Sequence, residues 1–357
     1  MTYGHHGGGA VLKQTGQVTV SDHVSEAQWD AYVGKHPDGT IDHAWRWQEI
    51  FRSVFGHSSR YLAASRDGEV VGVLPLVMFR SRLFGRFITS VPFLNYGGVL
   101  ADDADVRDAL IAHARDIARE FGASHVELRH VARQAQTLPF RQHKLQLTRD
   151  LPATSDALWN DLDKKVRNLV RKAQKAELTT ETGGVELVDA FYTVFAENMR
   201  DLGTPVYSRA LFTETLRRFP QSASVHVVRL GPVPVAASIT LRHNATALVP
   251  WASSLRDYRQ HAPNMLLYWA MLEHAIATGA RRFDFGRSSP DSGTHQFKVQ
   301  WGASERPLHW EYVLLTRDSP PDQGPQNPRF ARVIETWKRL PLWLTKLVGP
   351  HIVRNIP

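Results

Sequence analysis

The sequence predicts an α/β (α+β) fold made of two similar units, on the strength of one internal repeat and two flanking regularities. The segment Phe121–His130, FGASHVELRH, has a counterpart in Thr278–Arg287, TGARRFDFGR, with Gly122 and Gly279 lying 157 residues apart. In both places an apolar-periodic helix stops at Gly-Ala and the chain enters a short apolar strand that carries one acid, Glu127 or Asp284. Upstream, Tyr61–Met78 and Val225–Arg242 each read as two β-rich runs joined by a glycine turn, Gly68 and Gly231 being 163 apart. Between hairpin and helix each half also has a Val-Pro-aromatic step, Val91-Pro92-Phe93 and Val249-Pro250-Trp251.

Two units of roughly 150 residues are of ordinary domain size, and the chain of 357 residues, 43% apolar and 22% charged, can bury a core in each. The expected organisation is a disordered head over 1–18, a first lobe over 19–150, a second over 151–318, and a linker with a C-terminal helix over 319–357 that returns to the first lobe. The cut falls near Leu151-Pro152, the stretch Ser319–Pro328 reads as linker from its Pro, Gly and Asn content, and the final helix should break at Pro341.

No apolar run is long enough for a membrane helix and the first residues lack a signal-peptide core, so a cytoplasmic protein is expected. The absence of cysteine excludes disulfides and thiolate chemistry and fits a reducing compartment. A formal charge of +8 favours an anionic partner such as a nucleotide sugar, CoA, tRNA or an acidic lipid surface. His57 and His130 stand alone, with no second ligand at metal-binding spacing, and no metal is expected.

The hairpins, the helix with its Gly-Ala stop, the strand FDFGRS and the later FKVQWG resemble the Fem family of peptidoglycan bridge-forming aminoacyltransferases, from about Trp45 to Trp310. More closely, SRLFGRF, PFLNYGGVLADD, VRNLVRKA, NMRDLGTPVYS, VPWASSLRDY and APNMLLYW resemble the FemAB-related proteins associated with exosortase and PEP-CTERM systems. The resemblance implies tandem duplicated GNAT-like acyltransferase domains facing a shared cleft, with the C-terminal segment completing the first lobe. It implies acyl or aminoacyl transfer to an amine on a cell-envelope or exopolysaccharide precursor. No tightly bound cofactor is expected; the co-substrate is an activated donor, aminoacyl-tRNA or acyl-CoA, and the acceptor is glycan- or nucleotide-linked. An RxxGxG/A phosphate loop at a helix start is lacking in both halves, the nearest match, Arg229–Ala236, falling inside a hairpin. That weakens CoA and favours aminoacyl-tRNA.

Lys298, read as part of a glycine-bounded strand GTHQFKVQWGA, resembles the FK element near the Fem acceptor site and is the first catalytic candidate, its ammonium stabilising a tetrahedral oxyanion. The competing reading is a surface lysine on an edge strand. Asp284, the second, would take the amine's proton, with Arg287 and Ser288 binding phosphate beside it; a purely structural Asp284–Arg partnership competes. The basic amphipathic helix around KKVRNLVRKA offers Lys165, Arg167 and Arg171 for phosphate contact, or simply a solvated face. Arg200 and Tyr207 flank a Gly/Pro-marked loop with Thr204, while Trp251, Ser254, Arg256, Tyr258 and Asn264 sit where the Fem pattern has cleft residues. Asn95, Tyr96 and the Gly97-Gly98 step are first-lobe candidates. A peripheral membrane contact through the Trp/Leu/Lys tail, a catalytically inactive nucleotide-sugar or polysaccharide-assembly binding protein, a nucleic-acid-binding protein and a CoA-dependent GNAT acetyltransferase are the alternatives.

Overall fold

The computed structural model describes residues 16–81, 84–321 and 331–356. Most of the expected disordered head, and the linker from 322 to 328, therefore lie outside the described residues, as do positions 82 and 83 of SRLFGRF.

In chain order the first half comprises β1 (Thr19–Ser21), α1 (Glu26–Lys35), α2 (Trp47–Ile50), β2 (Ser58–Arg66), β3 (Glu69–Ser81), β4 (Gly85–Thr89), β5 (Leu100–Ala101), α3 (Ala104–Phe121), β6 (His125–His130), β7 (Phe140–Arg141) and β8 (Leu145–Asp150). The second half follows as α4 (Ser155–Asp161), α5 (Lys164–Lys175), β9 (Leu178–Gly183), α6 (Val188–Leu202), α7 (Arg209–Arg218), β10 (Ala223–Leu230), β11 (Val233–His243), β12 (Thr246–Ser254), α8 (Pro263–Ala277), β13 (Arg282–Ser288), α9 (Gly293–Val299), β14 (Ser304–Pro307) and β15 (His309–Leu314). Two tail helices close the chain, α10 (Ala331–Lys338) and α11 (Leu342–Val353).

The repeat has the local physics expected of it. The hairpins β2–β3 and β10–β11 are antiparallel. Helix α3 is capped by the Asp103 carboxylate and ends on Gly122 in the left-handed region, where its Cα lacks the side chain that would clash; Gly279 plays the same part after α8. The symmetry of helix, stop and strand thus becomes two parallel strand pairs, β4 with β6 and β12 with β13, each the only parallel pair of its sheet among the described residues.

The lobes do not divide at residue 150. One sheet runs β1-β2-β3-β4-β6-β15-β7 with β5 beside β3, and the other runs β14-β8-β13-β12-β11-β10-β9. Strand β8, expected in the first lobe, pairs with β13 and places Leu147 wholly inside the second core. Strand β15, expected in the second, pairs with β6 and carries Trp310 and Tyr312 into the first sheet. Each lobe thus takes a strand from the other half of the sequence. Pairing over such separations leaves no local periodicity to betray it.

Helices α4, α5, α8 and α9 cover one face of the second sheet around Leu158, Val166, Leu267, Phe283 and Trp301. The helix expected over 156–176 is two helices, because Leu162 leaves helical conformation and Asp163 caps a new start by accepting from the Lys165 amide. A larger core joins the two sheets: Phe79 and Phe87 of the first pack in the same cluster as Phe191, Phe195 and Phe212 of α6 and α7 and Ile239 and Trp251 of the second. The tail breaks at Pro341, but α10 and α11 rest mainly on α6 of the second lobe. It meets the first lobe at its end, where His57 Nε2 lies 2.8 Å from the Arg354 carbonyl.

Phe212 has no exposed surface and lies edge-on to Phe191, Phe195 and Trp251 at 4.8–5.2 Å. Phe212→Ala should therefore cost about 3–5 kcal/mol, read as a lower urea midpoint at unchanged slope; a loss below about 1 kcal/mol would mean that this inter-lobe core contributes little.

Candidate active site

The second sheet opens where its parallel strands part. Strands β12 and β13 pair only at Thr246–Arg282, Ala247–Phe283 and Leu248–Asp284, and β13 loses register with β8 between Asp284 and Arg287. The bend is made by Gly286, at φ +72°, whose amide donates to the Asp284 carboxylate at 2.7 Å. A Cβ there would lie 2.8 Å from the Val249 carbonyl oxygen, so glycine is required by both conformation and space. The bend brings the carbonyls of Gly286 and Arg287 within reach of Lys298, whose Nζ donates to both, at 3.2 and 3.0 Å.

Lys298 is not on a strand. It sits in α9, begun by Ser292 accepting from the His295 amide and anchored by Phe297, which packs edge-on against Tyr268 at 4.9 Å. It is 8% exposed. Burial holds its ammonium down to about pKa 8, with Arg287 and Lys144 adding to the effect and Asp284 opposing it. An ammonium has three N–H bonds, and the two carbonyls account for two of them.

Asp284 occupies the last paired rung, enclosed. Both its oxygens accept from the Tyr96 hydroxyl (3.0 and 2.9 Å), Gln146 Nε2 donates at 2.8 Å and Gly286 supplies the backbone donor. Burial raises its pKa against these hydrogen bonds. The expectation that Asp284 accepts the substrate's proton meets a carboxylate whose oxygens already hold three donor groups; the geometry gives it instead the task of fixing the bend and supporting the charge of Lys298.

Tyr96 comes from the first lobe and is itself held by a second buried acid. Asp42 accepts from the amides of Asn95 (3.0 Å) and Tyr96 (2.9 Å) and has no exposed surface. Burial pushes its carboxyl up to about 7, the two amides pulling the other way and Asp284 adding to the rise.

A set of cations gathers beside this chain of acids. Arg287, part-buried, lies 5.2 Å from the Trp310 ring; Arg129, almost wholly buried, lies 4.3 Å from the same ring and bonds Glu127 at 2.8 Å. Lys144 Nζ donates to Ser289 Oγ at 2.7 Å, and burial, reinforced by Arg287 and Arg129, lowers it to about 8. Burial and then Arg129 lower Arg287 to about 10. Arg287 Nη1, Ser288 Oγ and Trp310 Nε1 are buried without a hydrogen-bond partner. Tyr207 joins this group: its ring stacks on Phe195 at 6.2 Å, and Arg287 and Arg129 partly offset the rise that burial imposes on its hydroxyl.

The first lobe repeats the design but closes it. There β4 and β6 pair at Ile88–Val126 and Thr89–Glu127, and Glu127 takes the rung that Asp284 takes in the second lobe, with the Tyr312 hydroxyl donating at 3.0 Å. The following segment stitches the gap, Ser90 N donating to the Glu127 carbonyl and Gly98 N to the Arg129 carbonyl. In the second lobe the β12–β13 pairing ends at Leu248–Asp284.

Other expected site residues fall elsewhere. Arg200 is engaged by Asp201 at 2.7 Å and Glu197 at 3.8 Å, which neutralises it locally. Trp251 is a core residue against Phe212, and Ser254 is a rung of the β11–β12 pair. Arg256 is exposed on the turn that precedes α8, Tyr258 packs between the two cores and Asn264 is part-buried at the start of α8. On α5, Lys165 is exposed, Arg167 keeps a buried Nε without a partner and Arg171 lies over Trp159 at 5.3 Å. This helix shares the layer of α9 by packing on α8, yet no hydrogen bond or ion pair among the described residues ties its cations to Lys298. Neither the cavity bordered by Ser224, Arg242 and His274 nor that bordered by Arg115, Arg119 and Thr316 is lined by Lys298, Asp284 or Arg287.

Residues 160–299, which span the open notch and end one residue past Lys298, match the acetyltransferase (GNAT) domain. The protein is an acyltransferase whose second half is GNAT-like. This acyltransferase is 22% identical over 392 residues to the lipid II:glycine glycyltransferase of Staphylococcus aureus (strain USA300) and 20% identical over 394 residues to that of Staphylococcus epidermidis (strain ATCC 35984), each match covering 82% of this chain and 92% of the relative. Its fold superposes on the crystal structure of FemX with a TM-score of 0.64 at 16% identity, over 84% of this chain and 98% of the other. For the L-PGS structure from Bacillus licheniformis the TM-score is 0.56 at 11% identity, over 91% and 97%. The acyltransferase thus has a tandem, GNAT-like α/β fold that it shares with FemX.

Sequence reasoning missed Asp42, Gln146, Lys144, Arg129 and Trp310. The repeat did pair Glu127 with Asp284, and looking two or three residues beyond each acid would have found Arg129 and Arg287. For Asp42 and Lys144 no local signal exists, since their partners are backbone amides 53 and 54 positions away and a serine 145 positions away.

Asp42 yields a prediction with a definite sign. Its folded pKa lies above that of an exposed carboxyl, so the folded state holds the proton more tightly and loses stability as pH rises through about 7. Asp42→Asn imitates the neutral acid and can still accept from the two amides. Its melting temperature should fall less than the wild type's between pH 5 and pH 8 (conditions chosen at roughly two units below and one above the shift); identical slopes would mean that Asp42 is not the buried acid that titrates.

Proposed function

We propose that this acyltransferase moves an acyl or aminoacyl group from an anionic activated donor to an amine on a cell-envelope precursor, by direct attack in the notch of the second lobe. The observation that carries the reading is the Lys298 ammonium, buried, fixed by two carbonyls and left with one N–H to offer. Attack of an amine on the donor's ester or thioester forms a C–N bond and a tetrahedral oxyanion. A preorganised cation in a dry site stabilises that charge more than water does. On collapse the C–O or C–S bond breaks, and the proton shed by the amine leaves with the departing alcohol or thiol.

Direct transfer is favoured because the notch holds no nucleophile activated by a neighbouring base; Ser288 Oγ is buried without a partner and no cysteine exists. Arg287, Lys144 and Tyr207 would hold the anionic part of a substrate, and their uncompensated charge supports a phosphate or carboxylate there. The cations of α5, together with Arg256 and Asn264 near the start of α8, would line the approach. The names of the Staphylococcus relatives favour an aminoacyl donor and a lipid-linked peptidoglycan-type acceptor. The closer motif resemblance extends the acceptor class to exopolysaccharide precursors.

The test is transfer from aminoacyl-tRNA and from acyl-CoA to amine-bearing nucleotide-linked glycans. Lys298→Met should lower kcat by about 10²–10³ with little change in KM. Because the ammonium is depleted as pH rises through about 8, the wild-type rate should fall on that alkaline limb and the variant should lack it. Full activity in Lys298→Met would overturn the assigned role of Lys298; donor binding with no turnover in the wild type would point to a binding protein.

A further inference from the structure

We infer that the outward face of helix α11 is a docking surface for an anionic lipid bilayer. The helix is packed the wrong way round for one that merely covers a core. It buries Thr345, Gly349 and Val353, spaced four residues apart, and turns two large apolar residues outward: Trp343 is 66% exposed and Leu347, one turn on, is 62% exposed. The buried side is committed, since a Cβ on Gly349 would come within 3 Å of Val206, and Lys346 lies 5.3 Å from the Tyr192 ring. The contact of His57 with the Arg354 carbonyl holds the far end. The helix therefore cannot roll to hide Trp343 and Leu347 without losing these contacts.

The exposure is concentrated. Among the large apolar side chains of the described residues the four most exposed are Trp343, Val333, Leu347 and Leu202. Val333 is on α10, and Leu202 ends α6 beside Gly203, which lies against Ile334 of α10. Isolated exposed apolar residues are unremarkable, but four at one end of a fold mark a contact surface.

Charge selects the occupant. Residues 331–356 contain Arg332, Lys338, Arg339, Lys346 and Arg354 with Glu335 as the one acid, and Glu335 is paired with Lys338 at 2.6 Å. An apolar strip with a tryptophan, bordered by long cationic side chains and with its one acid, Glu335, already paired, is the arrangement that seats a helix at the headgroup level of an anionic leaflet. No helix among the described residues is long and apolar enough to cross a membrane, so the contact is peripheral. This inference stands apart from the acyl-transfer reading.

Co-sedimentation with phosphatidylglycerol/phosphatidylcholine vesicles tests it, using the full chain and the Trp343→Ser/Leu347→Ser double variant. Both substitutions are on exposed surface, and circular dichroism and thermal melting verify that the variant folds. Wild-type protein should pellet with the anionic vesicles, should release on raising salt, and should bind roughly tenfold or more tightly than the variant. Transfer to a water-soluble acceptor should be the same in both, so failure of docking and failure of the proposed reaction remain distinguishable. Wild-type protein left in the supernatant, equal binding of the two proteins, or a concentration-dependent dimer abolished by the double substitution without effect on vesicle binding would each overturn the inference, the last in favour of a second copy.

Discussion

The hydroxyl of Tyr96 reaching across to Asp284 is the contact on which the site's geometry depends. Asp284 marks the rung where β12 and β13 part, and its oxygens also receive the Gly286 amide that shapes the bend. The bend presents the two carbonyls that hold Lys298. A first-lobe tyrosine thus sets the position of a second-lobe ammonium through one carboxylate, and Asp42 sets the tyrosine by taking its backbone amide. Buried polar groups arranged in such a chain must all be satisfied together, because an unpaired member in this surrounding is costly. Relative movement of the lobes would break a bond to a buried charge, so the interface behaves as part of the site.

The same region stores charge that the fold alone does not need. Four cations, Arg129, Arg287, Lys144 and Lys298, face Glu127 and Asp284, and one of the carboxylates, Glu127, is spent on Arg129. Replacing such groups with apolar residues of similar volume is commonly neutral or stabilising, so their presence is poorly explained by stability. Burial depresses the pKa values of Lys144, Arg287 and Lys298, and repulsion among these cations adds to the effect. Binding of an anion, as proposed for the substrate, would offset this excess of positive charge. The duplicated lobe supplies an internal control: where Arg129 answers Glu127 and the 90–98 segment stitches the strands, the corresponding notch is closed.

What could be read from the sequence was what local physics writes there. Glycine stops at Gly122 and Gly279, paired hairpins and the acids at Glu127 and Asp284 all leave a signal within ten residues, and together they yield the duplicated architecture. The exchange of β8 and β15 between sheets leaves none, because a short alternating strand looks the same whichever sheet receives it. Lys298 was misread as strand-borne because glycines bracket it; Ser292 as a cap and the four-residue spacing of Phe297 and Trp301 were the helical signals. Of the candidate site, Lys298, Asp284, Arg287, Ser288 and Tyr207 come together, while Arg200 is neutralised by neighbours that its own sequence context contains.

The strand exchange also bears on why the notch is open in only one lobe. Strand β15 enters the first sheet beside β6 and brings Tyr312 to Glu127 and Trp310 to Arg129, so the exchanged strand completes the closed copy. Strand β8 enters the second sheet beside β13 and brings Gln146 to Asp284, but the register shifts at the bend, where Lys298 takes the carbonyls of Gly286 and Arg287. Trp310 then carries the first lobe's Arg129 and the second lobe's Arg287 on one ring, so the closed copy is the wall against which the open copy gathers its charge. Duplication with exchange leaves the two related notches unlike: one is filled and stitched shut, and the other keeps the buried Arg287 Nη1 without a partner in the fold.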